Sequence, residues 1–187
     1  MRWSNGKGVL AAVAIMLIAA MPAGAVKKME MPNNFGGDDW AVSHWEDAVG
    51  YLKYVTSDDV RKEMLKLPEN ERLATWQDFW KAKDPEKKKP DNVFRTAYFA
   101  RIRYANDNFG SILLAGWLTD RGDTWIRLGE PRTLDRYPMR SGGRNLEVWN
   151  YWAPRDIYLV FLDRTGVGDY DLLNYTDMID EVYIGGR

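Results

Sequence analysis

Six carboxylates in the C-terminal half of the chain are the residues whose type could support catalysis. Paired carboxylates hydrolyse glycosidic bonds when one acts as an acid and the other as a base or nucleophile. The sequence sets no distance between any two of them, and aspartate is common in turns because it hydrogen-bonds to local backbone. We therefore predict no catalytic residue and keep a carboxylate-dependent hydrolase as the last of three alternatives. The six are Asp120, Asp123, Glu130, Asp163, Asp169 and Asp171.

The histidine and cysteine counts exclude several other kinds of site. The chain has no cysteine, so it has no thiol nucleophile, disulfide framework or cysteine-ligated zinc. A histidine-ligated metal would have only His44. The segment from Asp163 superficially suggests a calcium loop, but Val167 and Asn174 stand at positions 5 and 12 of the EF-hand pattern, where oxygen ligands and a glutamate are required. We predict a hairpin turn there, and no metal or cofactor.

Aromatic residues are the most unusual feature of the composition, with nine tryptophans and ten tyrosines. On a strand, Trp149 and Tyr151 would share one face while Val148 and Trp152 share the other. One face must meet helices, and the other is either an exposed binding patch or a surface covered by the N-terminal helices. Because tryptophan and tyrosine are favoured at interfaces, we predict a partner- or glycan-binding site at Trp149, Tyr151 and Trp125.

The N-terminus has the pattern of a secretory signal peptide. Arg2 and Lys7 give it positive charge, residues 9–21 form an apolar run of 13 residues, and small residues end at Ala25. The run is shorter than the roughly 20 residues that span a bilayer. We predict a signal peptide at residues 1–25, a periplasmic or secreted product, and no membrane span after cleavage.

The overall charge argues against nucleic acid as a partner. The chain has 26 basic and 27 acidic residues, with a formal net charge of -1. Non-specific nucleic-acid binding requires a basic surface, which this balance does not favour. For an exported chain, an envelope protein is the expected partner, and a glycan is the alternative.

Hydrophobic spacing predicts helices in the first half of the mature chain. Residues 26–39 show no period and are predicted to be a flexible lead-in, and residues 40–90 to be a helical segment. Apolar residues recur at helical spacing from Trp40, and Ser57 can cap a second helix. Further helices are expected from Pro68 and from Asp91 to about Phe109.

Strand patterns follow in the second half, at residues 91–187, which we expect to form an α+β domain. Residues 124–128 alternate and are predicted to be a strand, residues 146–152 are aromatic-rich, and residues 157–162 are continuously apolar. Residues 168–174 return as a hairpin partner. Helices followed by a strand meander predict an α+β fold with N-terminal helices packed on a small antiparallel sheet of three to four strands.

The chain resembles the GWxTD domain of bacterial exported proteins. Residues 116–120 read Gly-Trp-Leu-Thr-Asp, the motif that names the family. The likeness spans about residues 76–173, with a departure at Glu130-Pro131-Arg132, where relatives commonly carry Pro-Pro-Asp. It implies an exported α+β module with no established activity, substrate or cofactor. Further blocks in family order are Phe79-Trp80, Asp84-Pro85, Phe94, residues 103–106, Phe109, residues 120–131, residues 147–151 and residues 161–170.

The motif residues themselves are predicted to be structural, with a functional surface as the alternative. Gly116 can take a left-handed turn, and Trp117 can fill the junction between helices and sheet. Thr119 and Asp120 can hydrogen-bond to local backbone donors. The leading hypothesis is a non-catalytic interaction or scaffold module of the cell envelope that binds a protein partner. The alternatives are a cell-wall or polysaccharide-binding module and the hydrolase above.

Overall fold

The computed structural model describes residues 31–87, 91–112, 114–138, 144–152 and 156–173, with the side chain of Trp152 left out. The predicted signal peptide lies outside the described residues. Within them the chain forms six α-helices, two short 3-10 helices and one four-stranded sheet. These elements are α1 (Asp38–Ser43), α2 (Trp45–Tyr51), a 3-10 helix (Leu52–Tyr54), α3 (Asp58–Leu65), α4 (Glu69–Ala82), α5 (Val93–Phe109), a 3-10 helix (Gly116–Leu118), α6 (Asp120–Leu128), β1 (Thr133–Pro138), β2 (Asn145–Trp152), β3 (Asp156–Asp163) and β4 (Tyr170–Leu172).

The N-terminal helices follow the predicted spacing, with local differences at their ends. The helix expected from Trp40 is divided at His44 into α1 and α2. Ser57 caps α3 as predicted, and its hydroxyl oxygen accepts from the Val60 N–H at 3.4 Å. Pro68 is the N-cap of α4, where its missing N–H costs no hydrogen bond. Trp76 and Trp80 of α4 are buried, and α5 ends at Phe109 as expected.

The strand predicted at residues 124–128 is wrong, because these residues belong to helix α6. Thr119 caps this helix, and Asp120 and Asp123 lie in its first turn, where carboxylates favour the helix dipole. Five alternating residues are too few to separate a period of 2 from one of 3.6. Gly129, with φ of 82°, ends the helix.

The four strands form an antiparallel meander in the order β1-β2-β3-β4. This confirms the predicted α+β class and the hairpin at the β3–β4 connection. Trp149 pairs with Leu159 across β2 and β3. The Trp149 ring also contacts Phe109 of α5 at 5.2 Å, so this face of the sheet packs against the helices.

One hydrophobic cluster joins both halves of the chain. It includes Trp45 and Trp76 from the N-terminal helices together with Trp149 and Phe161 from the sheet. The division into a helical segment at residues 40–90 and a domain at 91–187 stays a prediction. No helix among the described residues combines the length and apolar character that crossing a bilayer requires.

The described part of the predicted lead-in packs on α5. Phe35 is buried and meets the Phe99 ring edge-on at 5.1 Å. The Arg95 guanidinium donates to the Gly36 carbonyl, and that of Arg103 to the Met31 carbonyl. These arginines fix residues 31–36 to the helix.

Candidate functional site

The family motif forms a tight contact between the start of α6 and the end of α5. A Cβ atom on Gly116 would lie 1.9 Å from the Ala105 carbonyl oxygen, and one on Gly122 would lie 1.8 Å from the Gly116 carbonyl oxygen. Only glycine allows backbones to approach this closely. The left-handed turn predicted at Gly116 is wrong: its φ is not positive, and glycine is needed there for the close approach.

Thr119 stabilises the motif locally, whereas Asp120 ties it to the sheet. The Thr119 hydroxyl accepts from the Gly122 N–H at 3.1 Å and donates to the Gly116 carbonyl at 2.8 Å. The Asp120 carboxylate accepts from the Leu172 N–H at 2.8 Å. Asp120 was expected to bond a local donor and instead bonds strand β4, so it links the start of α6 to the edge of the sheet.

Trp117 packs against the N-terminal helices and not at the junction with the sheet. Its half-buried ring lies 4.7 Å from the Tyr51 ring and 6.3 Å from the Tyr54 ring. The backbone N–H of Trp117 donates to Asn106 Oδ1 at 3.0 Å, and its backbone carbonyl accepts from the Tyr54 hydroxyl. Burial, together with the negative charge of Asp123, raises the pKa of Tyr54 to about 12, so this hydroxyl stays protonated as a donor.

The loop before α6 exposes three large apolar side chains, which we call the loop residues: Ile112, Leu114 and Leu118. Their exposed fractions are 66% for Ile112 and 41% for each leucine. The turn is closed by the Ser111 N–H donating to the Leu114 carbonyl at 3.0 Å. The sequence analysis missed this feature, although a short apolar run between Gly110 and Gly116 marks it.

The aromatic residues predicted to bind a partner lie in the core. The exposed fractions of Trp149, Tyr151 and Trp125 are 0%, 7% and 8%. The Trp125 ring stacks on Tyr104 at 4.0 Å, and the Tyr151 hydroxyl donates to the Gly129 carbonyl at 2.9 Å. The exposed patch expected at these positions is therefore corrected: the helices cover that face. Six of the seven described tryptophan side chains are buried, namely Trp40, Trp45, Trp76, Trp80, Trp125 and Trp149.

A buried ion pair between α6 and the sheet also escaped the sequence analysis. Arg121 Nη1 lies 3.4 Å from Glu147 Oε1, and both side chains are buried. The Arg121 guanidinium also donates to the Gly168 carbonyl and lies 3.8 Å from the Tyr170 ring centroid. Glu147 Oε2 accepts from the Trp149 indole N–H at 3.0 Å. Glu147 Oε1 also accepts from Nε of the exposed Arg136 at 3.1 Å, so both buried charges are paired within the fold.

Four of the six carboxylates considered for hydrolysis are held in separate contacts. Asp123 pairs with Arg127 at 2.9 Å and Asp171 with Arg164 at 3.2 Å. Asp163 accepts from the N–H groups of the β3–β4 turn, and Asp120 from Leu172, as above. Among the described residues there is no group of three or more potential metal ligands.

A polar cavity of about 770 Å³ lies between the N-terminal turn, the end of α4 and the start of α5. Amide and carboxylate side chains line it, including Asn34, Gln77 and Asp84. At its edge Asp38 pairs with Arg95 at 2.7 Å and accepts from Gln77. Burial by itself raises the pKa of Asp38, but these hydrogen bonds and the Arg95 charge outweigh burial and hold it below the ordinary 3.8.

A family model for the GWxTD domain matches residues 29–177. The chain belongs to the GWxTD domain family. The match includes the N-terminal helices and begins well before residue 76, where the motif-based resemblance began. No curated protein and no solved structure matched the chain.

Proposed function

We propose that this GWxTD domain protein is a non-catalytic interaction module of the bacterial cell envelope, exported by its N-terminal segment, that binds a protein partner through the loop residues. The observation that carries the proposal is the exposure of Ile112, Leu114 and Leu118, the last of which belongs to the motif, next to the buried and hydrogen-bonded Gly116 and Thr119. Single exposed apolar residues are ordinary. Three within seven positions, on a preorganised loop, are typical of a docking surface.

The geometry of the motif supports a division of roles in which buried motif residues position the loop and exposed residues contact the partner. Gly116 and Thr119 are buried and hold the loop against α5. A preorganised apolar surface loses little conformational entropy on binding, so more of the contact energy appears as affinity. Gly116 and Thr119 therefore hold the loop in place, and the loop residues, including Leu118 of the motif, make the contact with the partner.

The test is recovery of a partner from the native cell envelope in moderate salt. We expect the wild-type protein to retain an envelope protein, and the double variant Ile112→Ser/Leu114→Ser to recover at least about tenfold less, as for binding hot spots. The matched control is Val60→Ser/Leu65→Ser, since these α3 residues are similarly exposed. Equal recovery with both double variants would contradict the site, and an empty eluate would contradict the adaptor role.

Polysaccharide binding is the second candidate, and the polar cavity is the observation that favours it. Asn34, Gln77 and Asp84 supply amide and carboxylate groups suited to sugar hydroxyls, and Trp80 lies at the wall as a reporter. Saturable quenching of tryptophan fluorescence by cell-wall fragments, abolished in Gln77→Ala, would support this role. An unchanged signal across a broad panel of glycans would remove it.

A further inference from the structure

A small groove lies between α5, the end of α6 and the 3-10 helix Leu52–Tyr54. We call it the arginine groove. Its volume is about 180 Å³, which is less than the roughly 300–1,000 Å³ of sites that enclose a whole small molecule. Its apolar walls include Val55, Phe94, Ala97 and Ile126. The groove therefore has room for a single apolar side chain of a larger partner.

Two arginines line the same groove, and none of the described residues that line it is acidic. The exposed Arg127 side chain pairs with Asp123 through Nε at 2.9 Å. Among the described residues, neither Nη group of Arg127 has a hydrogen-bond partner. Arg101 Nη1 donates to the Ile126 carbonyl at 3.1 Å, and a guanidinium has more N–H donors than this one bond uses. Both arginines therefore keep donors for an anionic ligand.

The fold holds both guanidinium groups in position. The Arg127 guanidinium lies 5.1 Å from the Tyr54 ring centroid. A Cβ atom on Gly129 would lie 2.9 Å from Arg101 Nη2, so glycine allows this guanidinium to lie against the end of α6. Burial raises the pKa of Tyr98, another residue of the groove, and the positive charge of Arg127 opposes that rise. A carboxylate entering the groove would therefore meet positive charges that are already in place.

We propose that the arginine groove binds the C-terminal residue of a protein partner, with an apolar side chain against Phe94 and Val55 and the terminal carboxylate on Arg101 and Arg127. Guanidinium and carboxylate groups form charge-assisted hydrogen bonds, often in pairs. A terminal residue carries its carboxylate and its side chain on one Cα atom, so it matches a groove that has cations beside room for one side chain. An internal aspartate or glutamate supplies the charge without the apolar group. The inference rests on the interaction role proposed above, but it uses a different surface from the loop residues.

The direct test titrates the protein, expressed from its full coding sequence, with a pair of acetylated hexapeptides that end in leucine. One peptide has a free terminal carboxylate, and the other has a terminal amide. We expect the carboxylate peptide to shift the proton–nitrogen NMR signals of Ala97 and Arg127 saturably. The amide peptide should bind at least about tenfold more weakly, because it lacks the charged acceptor. Equal affinity of the two peptides, or no saturable shift with either, would overturn the proposal.

Two exposed alanines of α5 provide a matched pair of variants. Ala97 lines the arginine groove, whereas Ala100 lines the polar cavity. We expect Ala97→Leu to fill the groove and lower the affinity for the carboxylate peptide at least about tenfold, and Ala100→Leu to leave it unchanged. Arg127→Gln should weaken binding of the carboxylate peptide but not of the amide. Wild-type affinity in Ala97→Leu would contradict the site.

The loop variant separates this inference from the proposed function. We expect Ile112→Ser/Leu114→Ser to bind the carboxylate peptide as the wild type does, because the loop residues do not line the groove. An empty eluate from the envelope together with saturable peptide binding would contradict the adaptor role and leave the groove supported. Peptide binding that is lost in the loop variant and kept in Ala97→Leu would overturn the groove.

Discussion

At the residue scale, the family motif is explained by steric contacts at its glycines. Gly116 and Gly122 lie where one methyl group would collide with a backbone carbonyl oxygen. The sequence could predict that Thr119 hydrogen-bonds to local backbone, because such bonds join residues that are close in the chain. The sequence could not predict why glycine is required at position 116. The requirement comes from the close approach of α5, which is a tertiary contact that the neighbouring residues do not reveal.

We expect Gly116→Ala to destabilise the fold by about 1–3 kcal/mol or more, as overpacking does. The matched control is Gly50→Ala in α2, where a Cβ atom would meet nothing within 4 Å. That change should stabilise by about 0.5–1 kcal/mol, because alanine has the higher helix propensity. Urea unfolding measures both variants, and equal effects would contradict the close-approach explanation.

The stability that the ion pair between Asp38 and Arg95 contributes depends on pH, because Asp38 titrates. The folded pKa of Asp38 is lowered below its ordinary 3.8, so its contribution is complete above about pH 4 and is lost as pH falls through the folded value. We expect Asp38→Asn to cost about 0.5–1 kcal/mol at pH 7, as a partly exposed ion pair does, and to cost less below pH 4. Asp39→Asn is the control for the same helix turn, and a difference from wild type that is constant with pH would contradict the assignment.

At the element scale, long periodic segments were predictable and short ones were not. The 17 residues of α5 carry enough turns for the apolar stripe to define a helix. The nine residues of α6 do not, and its second half alternates like a strand. Strand β1 shows no alternation of burial, with only Leu134 half-buried, so no pattern in the sequence marks it. Its place is set by pairing with the next strand, β2, and the residues of β1 alone carry no sign of that pairing.

Asp120 couples α6 to β4, and hydrogen exchange measures that coupling. We expect Asp120→Ala to accelerate exchange of the Leu172 amide, which donates to this carboxylate, and to cost about 1–2 kcal/mol. Asp123→Ala is the control, since its partner Arg127 lies on the same helix. Unchanged exchange at Leu172 in Asp120→Ala would show that the link does not hold the strand.

At the scale of the whole molecule, the sequence predicted the fold class but not that Trp149, Tyr151 and Trp125 lie in the core. The order of helices and strands determines an α+β class. Which face of the sheet is covered depends on how α5 and α6 pack, so Trp149 and Tyr151 could be assigned to a common face but not to the core. The aromatic residues predicted as a surface instead form much of the core.

A single core predicts a single unfolding transition. Because one cluster includes residues of both the helical segment and the sheet, we expect the indole signals of Trp76 and Trp149 to disappear at the same urea concentration. The measurement is a urea titration followed by proton–nitrogen NMR. Two separate midpoints would instead support independent folding of residues 40–90 and 91–187.

If the N-terminal segment is a leader cleaved after Ala25, as we propose, the hydrogen bond from Arg103 to the Met31 carbonyl limits when the leader can be removed. On the proposed export route, residues 26–30 are the only chain between the cleavage point and the anchored turn, and five residues reach at most about 17 Å. A domain that had already folded would be held close to the membrane surface by this short segment and would block access of the peptidase to the cleavage point. On this proposed route, cleavage would precede the docking of residues 31–36 on α5, and the reach of five residues would set the order of processing and folding.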